Sequence, residues 1–550
     1  AFLGWIGFSV FGTIMMMRFQ GWLVEFGTNL DPKAALDFGA FTPQLLGTSQ
    51  RGNFLVSSFP SYGGYVLAVA GILGPLILLA DLLLKRRRRR MAASVAMLAA
   101  GLVLAVPVQA DEFIPYGEKP AVSPLQARVD AAMPGDTLRL EPGVFLGQIV
   151  VDKPMTLLGS RDTVLDGGGL GTVVRVAANQ VTLRGFTVRN SGYELLVDDA
   201  GILVDEVDDS VLEDLFLDNT NHGVYLRNAA RPVLRGLELR GRRGRVHEEN
   251  HGNGIHLWYV LDAVIEGNRV SGHRDGIYLS FAEAAVVEDN VLFEADRFGL
   301  HSMYSQRNSI RRNAFTRNTA GVALMFSNRM EMEGNLFAHN RGHRTYGLLL
   351  RDCSDSDFRH NRFVDNTIGL FFDGSNRNRF AENLIAENGW GLIAYSSSED
   401  NLFVSNNFLD NDYAVSLDMR RTRNKLSDGT QGNYWSDARP YDLDGNGAGD
   451  APHCPVGLFA FVSKQYPDLT VLAGSPAIVA LELAQRAFPS LQLTDLVDPT
   501  PRLEPVVLPP YAGPELPEAP GESRGRAGTA AAAGAVFVAG VSLLAFRGFA

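Results

Sequence analysis

The sequence predicts an all-β protein, a right-handed parallel β-helix with coils of roughly 22 residues and flanking transmembrane helices. Three observations predict this fold. A glycine-headed unit recurs at a nearly constant step, an asparagine-headed unit accompanies it, and apolar residues form columns at matching positions of successive units. A repeat of this length cannot bury its apolar face alone, so successive copies must stack into a solenoid.

The glycine-headed unit reads Gly-aliphatic-x-apolar. Its copies begin at Gly201, Gly223, Gly254, Gly276, Gly299, Gly321, Gly347, Gly369 and Gly391, with a degenerate copy at Ala414. The steps are 22, 31, 22, 23, 22, 26, 22, 22 and 23 residues, so only two coils carry insertions. Period-two alternation in short runs between Asn/Gly turns predicts short strands, one or more in each coil.

Two columns of apolar residues are expected to point inward and fill the core. One follows the glycines: Ile202, Val224, Ile255, Ile277, Leu300, Val322, Leu348, Leu370, Leu392 and Val415. The other follows the asparagines: Val270, Leu292, Phe315, Phe337, Phe363, Ile385 and Phe408. Three residues before the glycines, a stacked side-chain ladder is expected from Asn318, Asn366, Asn388 and Asn411.

The other segments follow in chain order. Residues 111–160 are expected to form an N-terminal cap and first coil, with a short amphipathic helix over an edge that would otherwise invite pairing. Residues 161–420 form the β-helix and residues 421–500 a C-terminal extension. Residues 501–527 are a Pro-rich linker with too little apolar surface to fold.

Apolar segments at both ends predict a membrane protein. Residues 1–90 hold two of them, 2–17 and 65–84, and the second ends in Lys85 and five arginines, which indicates a cytoplasmic end. Residues 91–110 read as a secretory signal or a third span, and both interpretations place residue 111 onward outside the cytoplasm. Residues 528–548 are expected to hold a C-terminal span that anchors the chain to the cytoplasmic membrane.

Composition excludes several classes of protein. The chain has 550 residues, of which 61 are acidic and 50 basic, and the formal charge of −11 argues against nucleic-acid binding. Two cysteines, Cys353 and Cys454, cannot build a disulfide scaffold or a zinc-finger array, although the sequence leaves open whether they pair. No lysine lies between residues 154 and 424, which removes the lysine base that a polysaccharide lyase could use there.

The outward positions of the glycine-headed strands suggest a metal site. His301 and Met303 are two residues apart on one strand, and Met325 lies one coil along, about 4.8 Å away in backbone terms. His256 is two coils earlier on the same column, and His273 replaces a residue of the asparagine ladder. Thioether and imidazole ligands suit Cu(I), so transiently bound copper is expected. A protein-contact surface is the competing interpretation.

A second candidate site is the Asp/Gly-rich run at 442–450. The oxygen-bearing side chains of Asp442, Asp444, Asn446 and Asp450 are spaced as in the start of a calcium loop. The twelfth position is His453 instead of a carboxylate. Calcium and a plain Asp/Gly turn therefore both fit the sequence.

Four features together carry a resemblance: the repeat array, Gly-Asn-Tyr-Trp-Ser-Asp at 432–437, the run at 442–450, and the Asp498-Pro499 region. Over roughly residues 111–505 the chain resembles the NosD family, periplasmic maturation factors of nitrous oxide reductase. The resemblance is specific at 432–453 and generic in the repeats, which pectin-lyase-type and sugar-binding β-helices share. Residues 1–90 look like part of a neighbouring membrane protein.

The resemblance implies a periplasmic subunit docked on an ABC-type ATPase and permease. Such a subunit would help move copper from a copper chaperone lipoprotein into the copper centres of nitrous oxide reductase. No ligand motif of the family carries over residue by residue, so the copper patch rests on the predicted geometry.

Two classes of function remain. The first is a non-catalytic scaffold for copper delivery. The alternative is an extracytoplasmic polysaccharide-binding or carbohydrate-modifying protein (lyase, epimerase or hydrolase), with aromatic contact surfaces at Trp258, Tyr278, Phe371 and Tyr395. A hydrolase needs two facing carboxylates about 5 to 10 Å apart. The outward acids Asp205, Asp373 and Asp418 are too far apart along the chain for that, so copper delivery is preferred.

Overall fold

The computed structural model describes residues 47–51, 54–58, 121–194, 198–242, 251–465, 475, 478, 480–481 and 494–517. The chain divides into two compact units, Ala1–Pro115 and Tyr116–Ala550. In the first unit the described residues form an antiparallel pair, β1 (Gly47–Arg51) and β2 (Phe54–Ser58). The predicted segments 2–17, 65–84, 91–110 and 528–548 lie outside the described residues.

The second unit contains a parallel β-helix in which each full coil adds one strand to each of three sheets. Sheet 1 has twelve strands: β3 (Thr137–Arg139), β6 (Thr156–Leu158), β9 (Thr182–Arg184), β12 (Val211–Glu213), β15 (Val233–Arg235), β18 (Val264–Glu266), β21 (Val286–Glu288), β24 (Ser309–Arg311), β27 (Glu331–Glu333), β30 (Asp357–Arg359), β33 (Arg379–Ala381) and β36 (Leu402–Val404).

Sheet 2 has thirteen strands: β4 (Gly143–Leu146), β7 (Thr163–Asp166), β10 (Thr187–Arg189), β13 (Phe216–Thr220), β16 (Glu238–Gly241), β19 (Arg269–Ser271), β22 (Val291–Phe293), β25 (Ala314–Thr316), β28 (Leu336–Ala338), β31 (Arg362–Val364), β34 (Leu384–Ala386), β37 (Asn407–Leu409) and β39 (Tyr434–Trp435). These are the asparagine-headed units of the sequence.

Sheet 3 has twelve strands and holds the glycine-headed units: β5 (Ile149–Val151), β8 (Val174–Val176), β11 (Ala200–Asp205), β14 (His222–Ala230), β17 (Ile255–Leu261), β20 (Asp275–Ser280), β23 (Phe298–Met303), β26 (Ala320–Met325), β29 (Tyr346–Arg351), β32 (Ile368–Asp373), β35 (Trp390–Ala394) and β38 (Tyr413–Leu417). The predicted β-helix and its repeat register are confirmed.

The inward columns form one continuous core, as the periodicity predicts. Ile202, Leu300 and Leu392 from the first column are at most 1% exposed. Along sheet 2, Phe337 stacks on Phe315 and on Phe363, with ring centroids 5.1 and 4.5 Å apart. Stacked rings in successive coils fill the interior and give each coil's apolar face a partner.

Buried asparagines line the turns of the helix. In the turn after sheet 1, the side-chain oxygen of Asn361 accepts hydrogen bonds from the backbone and side-chain nitrogens of Asn335, at 3.1 and 2.9 Å. The expected ladder after sheet 2 has the same pattern, since Asn366 donates to Asn388 through both nitrogens, each at 3.0 Å. Each ladder amide thereby satisfies backbone groups that the turn leaves unpaired.

The two ends of the β-helix are covered. At the start, helix α1 (Gln126–Ala131) packs through Val129, which is fully buried, and Gln126 exchanges hydrogen bonds with the backbone of Val150. At the other end, buried Asp498 accepts hydrogen bonds from the backbone of Asn433 and from the indole of Trp435. Helix α2 (Leu458–Gln465) follows and packs on β38.

Residues 501–517 form hydrogen bonds with the β-helix, whereas the sequence predicts a linker that does not fold. Asn407 exchanges two hydrogen bonds of 2.8 Å with the backbone of Val506. Arg362 then donates to the carbonyl of Pro509 at 2.5 Å and Arg317 to that of Pro517 at 3.2 Å. The segment therefore runs back along sheet 2 toward earlier coils. The segment has little apolar surface. Its prolines fix the backbone φ angle, and side chains of sheet 2 donate hydrogen bonds to it, and both hold it against the sheet.

One structural finding bears on the predicted membrane-spanning segments. Among the described residues, no helix combines the length and apolar character needed to cross a bilayer.

Candidate functional site

The candidate copper ligands lie on the outward face of sheet 3. His301 and Met303 alternate with Leu300 and Ser302, which are fully buried on the inward face. Met303 pairs in register with Met325 on the next coil. The structure thus brings His301, Met303 and Met325 onto one face, in the arrangement that the repeat register predicts.

His256 belongs to the same face through an aromatic stack. Its ring lies 4.8 Å from that of Tyr278, and Tyr278 lies 4.6 Å from His301. The hydroxyl of Tyr278 donates to the sulfur of Met303 at 3.5 Å. Tyr278 therefore separates the two imidazoles and contacts the thioether, so one ion does not bridge His256 and His301 here.

Although the two histidines point outward as the alternation predicts, the structure buries them. His301 is 4% exposed and His256 is 8% exposed, while Met303 and Met325 are half-buried. The reason is ring-on-ring packing: Tyr225 also stacks on His256 at 4.4 Å, so each ring covers the next along the column. Of the candidate ligands His256, His301, Met303 and Met325, the two methionines are the ones that stay partly exposed.

His301 is held by a buried ion pair. Its Nδ1 lies 3.2 Å from a carboxylate oxygen of Asp275, which is fully buried and bound by two nitrogens of Arg297, at 2.9 and 2.5 Å. Nδ1 also lies 3.3 Å from Arg297, but an ionised carboxylate can only accept, so it favours the tautomer with hydrogen on Nδ1. Nε2 has no hydrogen-bond partner among the described residues and keeps its lone pair.

The pKa shifts agree with this arrangement. Burial raises the pKa of Asp275, but hydrogen bonds from Arg297 and His301 outweigh it and lower that pKa to about 2. Burial lowers the pKa of His301 despite the opposing effect of Asp275, and it lowers that of His256 well below 6.5. Both imidazoles are therefore neutral near pH 7, which is the state that binds a metal.

His273 lies elsewhere. It sits in the turn between β19 and β20, where its Nδ1 lies 3.0 Å from the carbonyl oxygen of Ser271, and it is 1% exposed. Burial lowers its pKa to about 3. The turn position, set by the asparagine ladder that His273 interrupts, keeps it off the outward face that carries Met303.

Sequence reasoning missed two residues near the site. Asp275 stands at a position where neighbouring coils carry Phe298 and Ala320, so the column contains an isolated charge that could have been noticed. His222 is 5% exposed; its Nδ1 accepts a hydrogen bond from the backbone of Asn253 at 3.0 Å, and burial lowers its pKa to about 4. With Nδ1 occupied, His222 offers no lone pair to a metal.

The aromatic contact surfaces are only partly available. Trp258 is 38% exposed and Tyr395 is half-buried. Both faces of Tyr278 are covered by histidine rings, and Phe371 is buried against Tyr346 and Tyr395. A sugar ring needs an open aromatic face, so Tyr278 and Phe371 are corrected from platforms to packing residues.

The Asp/Gly run folds into a compact loop. Carboxylate oxygens of Asp442, Asp444 and Asp450 lie within 4.8 Å of one another. Asp442 accepts backbone hydrogen bonds from Gly445 and Gly447, at 2.6 and 2.8 Å, and these bonds lower its pKa. The three carboxylates are close enough for one cation, and calcium stays a prediction.

Fold and site together define a class: a parallel β-helix protein whose outward face presents imidazole and thioether groups in one register. The family model described as "Periplasmic copper-binding protein (NosD)" matches residues 235–440, and that of the right-handed β-helix region matches residues 171–292.

A protein of Pseudomonas aeruginosa called "Probable ABC transporter binding protein NosD" is 31% identical over 66% of this chain and 87% of its own length. Its namesake from Stutzerimonas stutzeri is 29% identical over 66% of this chain and 86% of its own. The chain belongs to the NosD family.

Two solved structures are similar to the chain at low identity. The A-module of the Azotobacter vinelandii mannuronan C-5 epimerase AlgE4 is 14% identical, with a TM-score of 0.35, over 56% of this chain and 89% of its own. The Streptococcus pneumoniae surface adhesin PfbA is 10% identical, with a TM-score of 0.42, over 53% of this chain and 87% of its own.

Proposed function

We propose that this chain is a non-catalytic periplasmic scaffold that acts with an ABC-type ATPase and permease in copper delivery to nitrous oxide reductase. The copper-binding description of its family and the transporter-associated names of its relatives support the role. The carrying observation is the free Nε2 of His301, oriented by Asp275, on the face that presents Met303 and Met325.

Copper is the cargo in this proposal and is held transiently as Cu(I). Thioether and neutral imidazole are soft and borderline ligands that suit this ion. The half-buried thioethers make first contact, and the buried imidazole of His301, on the same strand as Met303, adds a nitrogen ligand. His256 and His273 lie outside this group and are assigned no ligand role in delivery.

Two further parts of the proposal concern anchoring and calcium. Segments 65–84, 91–110 and 528–548 would tie the scaffold to the cytoplasmic membrane beside the permease. Calcium at Asp442, Asp444, Asn446 and Asp450 would neutralise the clustered carboxylates and fix the C-terminal extension.

A competition titration of the full-length chain against a colorimetric Cu(I) chelator tests the ligand group. His301→Ala, Met303→Ala and Met325→Ala combined should weaken Cu(I) binding at least tenfold, about 1.4 kcal/mol. The matched control is Met133→Ala with His339→Ala, a thioether and an imidazole exposed elsewhere. Equal affinity of the triple variant and the control would remove the ligand group from the proposal.

The alternative, a polysaccharide-binding or carbohydrate-modifying protein, keeps only Trp258 and Tyr395 of its four aromatic platforms. A glycan that bound the chain and was lost on Trp258→Ala would favour it over copper delivery.

A further inference from the structure

An unusual row of aromatic side chains borders the candidate copper ligands. It consists of Tyr259, Phe281, Tyr304 and Phe326, which are called the aromatic row. They occupy equivalent positions of four successive coils, Tyr259 within β17 and the other three directly after β20, β23 and β26. All four have left-handed backbones, with φ between 51° and 52°. Bulky side chains rarely adopt this conformation, because Cβ then crowds the backbone.

The same position in other coils is occupied differently. Register places Glu206, Asn228, Asp352 and Gly374 there, also at positive φ. Most of these are residues that tolerate a left-handed backbone well. The β-helix therefore folds through this turn without aromatics, and four coils place strained, half-exposed rings where the turn itself does not require them.

The rings cannot serve as sugar platforms. Successive rings stack nearly parallel. The ring centroids of Tyr259 and Phe281 are 4.6 Å apart with an interplanar angle of 2°; the values are 5.2 Å and 10° for Phe281 and Tyr304, and 4.8 Å and 11° for Tyr304 and Phe326. Stacking covers the faces between successive rings, so the row presents mainly ring edges outward. Ring edges suit apolar side chains and sulfur, which favours a protein surface over a carbohydrate.

The surroundings extend this apolar surface. Trp258 packs edge-on against Tyr259 and Phe281, both at 5.6 Å, and Tyr259 and Leu261 are 45% and 47% exposed. A groove of about 400 Å³ runs beside the row, lined by Tyr259, Leu261, Phe281, Ala282, Glu283, Tyr304 and Gln306. Exposed aromatics rimmed by polar side chains are typical of protein-contact surfaces.

Position and size identify the kind of partner. Tyr304 directly follows Met303 and Phe326 directly follows Met325, so the row borders the two half-buried methionines. The row covers three coil steps, about 14 Å. That is small for a second copy of this chain, because a stable dimer buries on the order of 800 Å² per partner, but it suits a transient contact.

We propose that the aromatic row is the docking surface for a metal-carrying protein that presents apolar side chains beside its own metal ligand and exchanges copper with Met303 and Met325. This inference rests on the proposed copper delivery, and it adds where the donor or acceptor sits. Docking on the row would position the partner's ligand over the thioethers before the ion moves.

The test replaces each residue of the aromatic row by asparagine, because Asn228 occupies the same position in another coil. Tyr259→Asn, Phe281→Asn, Tyr304→Asn and Phe326→Asn combined should leave the thermal midpoint unchanged or raised, because asparagine tolerates the left-handed backbone. The probe is the soluble domain of the copper chaperone lipoprotein, titrated calorimetrically into the full-length chain. Its affinity should fall at least tenfold, while the affinity for free Cu(I) stays unchanged. Tyr441→Asn, an exposed aromatic in the Asp/Gly loop, is the matched control and should not alter docking.

A complementary variant separates the two proposals. Met303→Leu with Met325→Leu should weaken Cu(I) binding and leave docking of the metal-free chaperone intact. Unchanged docking of the chaperone on the row variant would overturn the inference. So would a row variant that still docks the chaperone but loses self-association or binding to anionic phospholipid vesicles. If the wild-type chain binds Cu(I) but not the chaperone, the inference falls and copper binding stands. If the chain binds no Cu(I), the proposed function itself fails.

Discussion

Two stretches of sheet 3 share one backbone register and differ in what they present outward. From β17 to β23 the outward column carries His256, Tyr278 and His301, and Met303 and Met325 pair with each other in a second outward column two residues further along the strands. From β26 to β35 it carries Ala323, Leu349, Phe371 and Ile393, a small apolar cluster. The inward column is equally aliphatic in both. A solenoid whose stability comes from its inward columns can therefore vary the outward column coil by coil.

The largest effect is expected from a pair of substitutions on one strand of the apolar stretch. They test whether an inward side chain contributes more to the free energy of unfolding than an outward one. Phe372 is fully buried in the main core and packs on Phe380 and Phe403, whereas Phe371 belongs to the smaller outward cluster. Phe372→Ala should cost about 3 to 5 kcal/mol of unfolding free energy and Phe371→Ala about 2, because a cavity near the surface collapses more easily. Denaturant midpoints measure both, and equal losses would refute the division of roles.

A second prediction concerns acid sensitivity of the histidine-rich stretch. The pKa values of His222 and His273 are about 4 and about 3 in the folded chain and near 6.5 when unfolded. Because both folded values are lowered, the unfolded chain binds protons first and stability falls as pH drops below 6.5. Each histidine should cost about 3 kcal/mol by pH 4.

Thermal midpoints between pH 7 and pH 4 measure this loss. His273→Asn restores the ladder residue found at Asn318 and should flatten the decline. His360→Asn changes a histidine that is only half-buried and paired with Glu382, and it should leave the decline unchanged. The same slope in wild type and His273→Asn would contradict the assigned burial.

The smallest expected effect refines the site itself. Asp275→Asn removes the carboxylate that holds hydrogen on the Nδ1 of His301. Because an amide can donate to Nδ1 as well as accept from it, the tautomer with a free Nε2 lone pair becomes less populated. Cu(I) affinity should fall roughly tenfold, about 1.4 kcal/mol. Asp166→Asn removes a comparable buried carboxylate paired with Arg189 on sheet 2 and should leave Cu(I) affinity unchanged, so parallel losses would indicate a folding defect.

Much of the architecture followed from the sequence because each coil repeats the same local pattern. Glycine steps located the strands of sheet 3, and asparagine steps located those of sheet 2. The shared face of His301, Met303 and Met325 followed from the same register. Burial did not follow, because the alternation assigns a side but says nothing about how neighbouring rings such as Tyr278 cover an imidazole.

Period and alternation by themselves determined that the chain winds into stacked coils, which residues fill the interior, and which side chains share an outer face. Tertiary structure alone decided that Asp275 meets His301, that His222 is buried, and that residues 501–517 lie along sheet 2. The physical reason is the range of the interactions. A repeat specifies contacts between equivalent positions, whereas these contacts join unequal positions of different coils, and only the assembled helix brings them within hydrogen-bonding distance.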